Sequence, residues 1–284
     1  MRNAETEMKQ HRITTSDGVG LNVLEAGSGK TLVMIPGWSQ AAEQFKHQIE
    51  GLSDRYRVIA IDMRGHGDSD KPAHGYRIQR LAKDVWDALR TLDVRDVTIL
   101  GHSMGCSVLW CYFDLFGAER IGKFVFCDEP PFLTSNPAWS EQELADAGAI
   151  FGPDAVTATA NALAGPDGVA TSKGFVGGMV TKAMPQEQLD WMIACNLKFP
   201  RAQSAALIYN HCHQDWRDVM PRINVPSLYI GGRASLVPWK SVAWSASATP
   251  GARVEIFEES EGGQHFMFVE NPQRFNRILA DFIG

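Results

Sequence analysis

The sequence predicts an α/β fold in which a mainly parallel sheet is covered by helices on both faces. Two observations carry this expectation. Short apolar, β-branched runs alternate with amphipathic helical stretches along most of the chain. That alternation stops in one block, residues 130–221, where about ninety residues hold no convincing strand. A chain of 284 residues, 44% hydrophobic and 21% charged, can bury a sizeable core. The expected organisation is therefore one core domain, residues 1–130 and 222–284, interrupted by a helical cap over residues 131–221.

The elements follow in order. Residues 12–15 and 21–24, with the turn residues Asp17 and Gly18 between them, read as an opening hairpin. Residues 31–35, 57–61, 97–100, 124–127, 227–230 and 254–257 read as buried strands, which makes eight in all. A helix is predicted over 78–92, where Leu81, Val85, Leu89 and Leu92 form one apolar stripe. Another is predicted over 271–283, with Pro272 near its start and Phe275, Ile278, Leu279 and Phe282 facing inward. Inside the cap, Ser140 to Glu143 is a capping box, and Pro185 opens a helix through Leu189, Met192 and Ile193. The cap is rich in aromatic and methionine side chains, among them Phe151, Phe175 and Met179. Met184, Trp191 and Met192 are its candidates for contact with a substrate.

Charge and composition narrow the classes of partner. A net charge of -6, with no cluster of five or more Lys and Arg, offers no basic field for nucleic acid. The polar first ten residues lack the pattern of a secretory signal, and no run of eighteen apolar residues exists to span a membrane. Five cysteines without a C-x-x-C pair fit a reducing, cytoplasmic setting. His211, Cys212 and His213 are adjacent and cannot all point at one ion, so no metal is expected there. Cys106 reads as buried packing.

The residues that carry chemistry begin with Gly101-His102-Ser103-Met104-Gly105, set between an apolar strand and a helix. This is the pattern of a nucleophile elbow, a sharp turn that thrusts the serine hydroxyl outward at a helix N-terminus. Serine at its free pKa is a poor nucleophile and needs a base with a third group to orient it. Of eight histidines, His265 follows the last strand in a Gly-rich loop able to carry its ring over the strand ends.

On four motifs the chain resembles the α/β-hydrolase family, from about residue 31 to 283. They are Ile35-Pro36-Gly37-Trp38, the D-x-R-G-x-G-x-S run from Asp62 to Ser69, the elbow, and His265 followed by Glu270-Asn271-Pro272. The resemblance implies a serine hydrolase with Ser103 as nucleophile and His265 as general base. It implies an oxyanion hole formed by the amides of Trp38 and Met104, and structural roles for His66 and His102. Pro36 stands where the family commonly has histidine, which affects the hydrogen bonds that fix this turn. Serine at the elbow argues against epoxide hydrolases and dehalogenases, which carry aspartate there.

The triad acid departs from the usual place. The family generally carries it in the loop after the seventh strand, and here Gly231 to Pro238 contains no carboxylate. The sixth strand ends in Asp128 and Glu129, and some dehalogenases and lactonases of the family place their acid at this spot. Asp128 is the expected acid, with Glu129 as its rival, because adjacent strand residues point to opposite sides. The expected substrate is a small-molecule ester or lactone, with no cofactor, no nucleic acid and no membrane, and with a homodimer left open. Carbon-carbon bond hydrolases, cofactor-free perhydrolases and small-molecule receptors share these residues and stand as alternatives.

Overall fold

The computed structural model describes residues 8–284. Its sheet has eight strands: β1 (Lys9–Thr14), β2 (Gly20–Ala26), β3 (Thr31–Ile35), β4 (Arg57–Ile61), β5 (Val97–His102), β6 (Ile121–Cys127), β7 (Ser227–Gly232) and β8 (Arg253–Phe257). They lie in the order β1-β2-β4-β3-β5-β6-β7-β8. β1 pairs antiparallel with β2, and β2 with β4, while every other pairing is parallel. β3 and β4 have the bounds that the sequence predicts. β5 runs two residues further than expected, through Gly101 and His102. Glycine reads as a breaker, yet Gly101 is paired on both sides, with Ile35 and with Phe126, so the ladder holds it in the strand.

Helices cover both faces. After β3 comes α1 (Lys46–Leu52), after β4 comes α2 (Ile78–Thr91), and after β5 comes α3 (Met104–Phe116). Between β6 and β7 lie α4 (Glu141–Ala147), α5 (Pro153–Ala164), α6 (Gly168–Gly177), α7 (Gln186–Leu197) and α8 (Arg201–Cys212). The chain ends with α9 (Trp239–Ala248), α10 (Met267–Glu270) and α11 (Pro272–Ile283). Alternate strand residues divide the core in two, as a period of two requires. Val33, Ile35, Ile59 and Ile99 face Leu81 and Val85 of α2 and Val108 of α3. Leu32, Met34, Val58 and Leu100 face Ile49 of α1 and Phe275 and Leu279 of α11.

The segment between β6 and β7 contains one isolated bridge, Thr134 to Phe151, and otherwise only helices and turns. Ser140 caps α4: its hydroxyl accepts from the Glu143 amide, and its own amide donates to the Glu143 carboxylate at 2.8 Å. Pro185 is the N-cap of α7. Side chains tie this segment to the core. Trp38 Nε1 donates to the Ser204 carbonyl at 2.8 Å, and Ser39 Oγ donates to that of Asn196 at 2.8 Å. Glu43 accepts from Trp191 Nε1, Cys195 Sγ and Lys198 Nζ at 3.0, 2.8 and 2.8 Å. No helix among the described residues is long and apolar enough to cross a membrane.

Candidate active site

Ser103 sits where β5 turns into α3, with φ 53° and ψ -129°. A non-glycine residue in that region costs of order 1–3 kcal/mol and persists only where its surroundings enforce it. Here the Ser103 amide donates to the Cys127 carbonyl at 2.8 Å, and the Ser103 carbonyl accepts from the Cys106 amide at 2.7 Å. The flanking glycines are demanded by close packing. A Cβ on Gly101 would lie 2.4 Å from the Gly105 carbonyl oxygen, and one on Gly105 would lie 2.5 Å from that of Ile35.

The turn after β3 abuts the nucleophile, since a Cβ on Gly37 would lie 2.8 Å from the Ser103 Cβ. Neither the Trp38 amide nor the Met104 amide has an acceptor among the described residues. Met104 opens α3, where unpaired amides and the helix dipole favour negative charge. With Pro36 in place of histidine, Gln40 holds the turn: its Oε1 accepts from the Gly37 amide at 3.0 Å. His102 backs this arrangement, with Nδ1 2.9 Å from Gln40 Oε1 and Nε2 2.8 Å from the His265 carbonyl oxygen. Burial first, and then the neighbouring His265, hold the His102 pKa well below the ordinary histidine value. His102 is thus neutral, and its single N–H donates to one of these two oxygens, the turn's or the His265 backbone's.

His265 follows β8, and its ring Nδ1 lies 2.7 Å from Asp128 Oδ2. Asp128 is fully buried and stands just past β6 with φ 57°, a conformation aspartate tolerates better than most residues. Its Oδ1 accepts from the Gly232 amide at 3.1 Å, and its Oδ2 also accepts from Ser235 Oγ at 2.5 Å. Glu129 points elsewhere and meets His211, with Oε1 2.7 Å from Nε2. Ser103 and His265 line one cavity without a direct hydrogen bond between them, and such bonds often tighten only once substrate is present. The wall is largely apolar, with Leu133, Ile150, Phe151, Phe175, Val176 and Ile208.

Residues 30–272 match the model of a protein family described as the alpha/beta hydrolase fold. This chain belongs to the alpha/beta hydrolase family. A non-heme haloperoxidase of Rhodococcus erythropolis is 34% identical over 280 residues, covering 95% of this hydrolase and 98% of that protein. The non-heme chloroperoxidase CPO-A1 of Kitasatospora aureofaciens is 29% identical over 278 residues, with coverage of 95% and 98%. The solved structure of an esterase from Exiguobacterium antarcticum superposes with a TM-score of 0.88 at 26% identity, covering 97% of this chain and 99% of that one. The hydrolase is thus an enzyme of this family, with esterases and haloperoxidases among its relatives.

Three expected pocket residues lie outside the cavity. Met192 of α7 is fully buried in the core that also holds α11. Trp191 turns outward: its indole donates to Glu43 and lies under Lys46 Nζ, 4.0 Å from the ring centroid. Met184 borders a separate outer groove with Pro185, Gln188 and Glu259. The physical reason is that α7 is used as a strut against the core and gives the wall only Asn196, so α6 and α8 supply most of the cap's share of it. Phe175 and Val176 come from α6, with Met179 just after it, and Ile208 and His211 come from α8. Phe151, Phe175 and Met179 belong to the aromatic and methionine set visible in the sequence, but composition does not tell which helix face meets the sheet. Ser235 and the Glu129 to His211 contact were not foreseen, because each depends on residues far apart in the chain, and Gln40 was missed although its partner Gly37 is only three residues away. In the D-x-R-G-x-G-x-S run, Arg64 donates to Asp84 of α2 from Nε and Nη2 at 2.5 and 2.7 Å, a structural use of that motif.

Proposed function

We propose that this hydrolase cleaves a carboxylic ester or lactone through an acyl-enzyme. The observation that carries the reading is the 2.7 Å approach of His265 Nδ1 to Asp128 Oδ2 beside a serine held on a strained elbow. With its Nδ1 proton directed at Asp128, His265 keeps Nε2 free to accept the Ser103 proton. Ser103 Oγ then attacks the carbonyl, and the Trp38 and Met104 amides hold the oxyanion, each such donor being worth about 10²- to 10³-fold in rate. His265 returns the proton to the departing alcohol. Water, deprotonated by the same nitrogen, releases the acid and restores Ser103. Side chains and backbone amides suffice for every step.

The helices between β6 and β7 act as a cap in this reading, because residues of α6 and α8 form the wall facing Ser103. The cavity is narrow, about 50 Å³, room for a few waters at about 10–15 Å³ each. A short acyl group fits it better than a long one. The deciding experiment is a panel of esters, lactones and 1,3-diketones assayed with wild type and Ser103→Ala. A serine-dependent rate on an ester or lactone supports the reading, and one confined to diketones replaces it with carbon-carbon bond hydrolysis.

The haloperoxidase relatives favour a second reading, in which hydrogen peroxide replaces water as the acyl acceptor. Peroxide attack on the acyl-enzyme yields a peracid and free Ser103, with no change in oxidation state at the protein. Adding hydrogen peroxide to the ester assay and measuring peracid tests it. Release of the carboxylic acid alone rejects it.

A further inference from the structure

The cavity beside Ser103 holds a second carboxylate and a second histidine that the acyl-enzyme steps do not use. Glu129 and His211 are 4% and 3% exposed, and both line the cavity. Glu129 follows Asp128, just past the Cys127 carbonyl that accepts from the Ser103 amide, so it belongs to the nucleophile's end of the sheet. His211 reaches it from α8, and its Nε2 lies 3.1 Å from Ser107 Oγ.

The 2.7 Å approach of Glu129 Oε1 to His211 Nε2 is not aligned as a hydrogen bond, and both Glu129 Oε1 and His211 Nδ1 are left without a partner. Buried polar atoms are seldom left so, and these two belong to residues that line a ligand cavity. The side-chain carbonyl oxygens of the other wall residues are engaged. Gln40 accepts from Gly37, and the Asn196 carbonyl and side chain accept from Ser39 and Arg201. No Lys or Arg lines the cavity, so a substrate carboxylate would meet Glu129 with no countercharge.

We propose that Glu129 and His211 form a recognition site for a hydroxyl group on the substrate, which makes this a hydrolase of hydroxylated, uncharged esters or lactones. The proposal rests on the reading of Ser103 as nucleophile. His211 Nδ1 donates or accepts according to which ring nitrogen carries the proton, and Glu129 presents carboxylate oxygen. A hydroxyl fits this pair, because it donates its one proton to the carboxylate and accepts from an Nδ1–H, or donates to Nδ1 where that nitrogen is bare. An analogue lacking that hydroxyl leaves the pair unsatisfied, which is how a polar site rejects a close relative of its substrate.

The test compares ethyl butanoate with ethyl 2-hydroxybutanoate and ethyl 3-hydroxybutanoate. Wild type is expected to favour at least one hydroxy ester by about tenfold or more in kcat/KM. Glu129→Gln weakens that ratio, and the double variant Glu129→Leu, His211→Leu brings it close to one. A ratio taken within one preparation is insensitive to the fraction folded, and an apolar replacement of both members of a buried pair is often well tolerated. The affinities of the same three esters for Ser103→Ala, with and without the double substitution, give the comparison without turnover. Serine-dependent turnover of ethyl butanoate separately judges the nucleophile. A wild type that favours neither hydroxy ester in rate or affinity, or a ratio unchanged in the double variant, overturns the proposal.

Discussion

Ser235 Oγ lies 2.5 Å from Asp128 Oδ2, the same oxygen that stands 2.7 Å from His265 Nδ1. The loop after β7, which has no carboxylate of its own, thus sends a hydroxyl to the carboxylate at the end of the neighbouring strand. With the Gly232 amide on Oδ1, this locks Asp128 in the orientation His265 needs.

Asp128→Asn is expected to fold and to lose about 10⁴-fold in kcat, since an amide cannot hold the imidazole in the required tautomer. Ser235→Ala keeps the charge and loses one of its supports, so its kcat should fall only about tenfold. Ester hydrolysis by the two variants, set beside wild type, measures the gap. Equal losses would mean that Ser235 does more than orient Asp128.

Gln40→Ala should lower kcat by about tenfold or more with little change in KM. It removes the acceptor of the Gly37 amide, and so loosens the turn that carries the Trp38 amide. Steady-state kinetics on one short ester separates this outcome from a binding defect, in which KM would rise at constant kcat.

Phe175→Ala opens the cavity wall and should move preference toward longer acyl chains, whereas Trp191→Ala should leave that preference unchanged. Values of kcat/KM across p-nitrophenyl esters of about two to eight carbons give the profile. An altered profile for Trp191→Ala would reverse the placement of α7 as a strut.

Stability should fall on acidification through His66. Burial pushes its pKa from an ordinary 6.5 to about 4, and its Nδ1 donates to the Arg64 carbonyl at 2.9 Å. Between those two values the unfolded chain binds a proton that the folded chain refuses, so unfolding free energy rises with pH across this window. The contribution is complete above about pH 6.5 and is lost by about pH 4, amounting to roughly 3 kcal/mol. His66→Gln removes the titration. Urea unfolding at pH 4.5 and pH 7 should show a smaller pH difference for the variant than for wild type.

Local pattern was enough for much of this molecule. The alternation of apolar runs with amphipathic stretches placed β3 to β7, because a buried parallel strand must be apolar along its length. The turn residues Asp17 and Gly18 placed the opening hairpin, and β8 proved a partly exposed edge. The elbow was legible for a similar reason: the turn at Ser103 is so crowded that only glycine fits at Gly101 and Gly105, and that requirement is written in five consecutive residues. The bare loop after β7 directed attention to Asp128 and Glu129.

Tertiary structure decided what depends on direction. Alternation says that Asp128 and Glu129 face opposite ways but not which one meets His265, and the backbone turn at Asp128, with φ 57°, settles their placement. Met184, Trp191 and Met192 were plausible wall residues by composition. Which side of α7 meets the core, however, follows from its anchorage at Glu43, about 150 residues away along the chain, and from α6 and α8 already occupying the wall. Apolar burial rewards any face that packs, so the sequence by itself determines that these side chains pack against something, and only the assembled core determines against what.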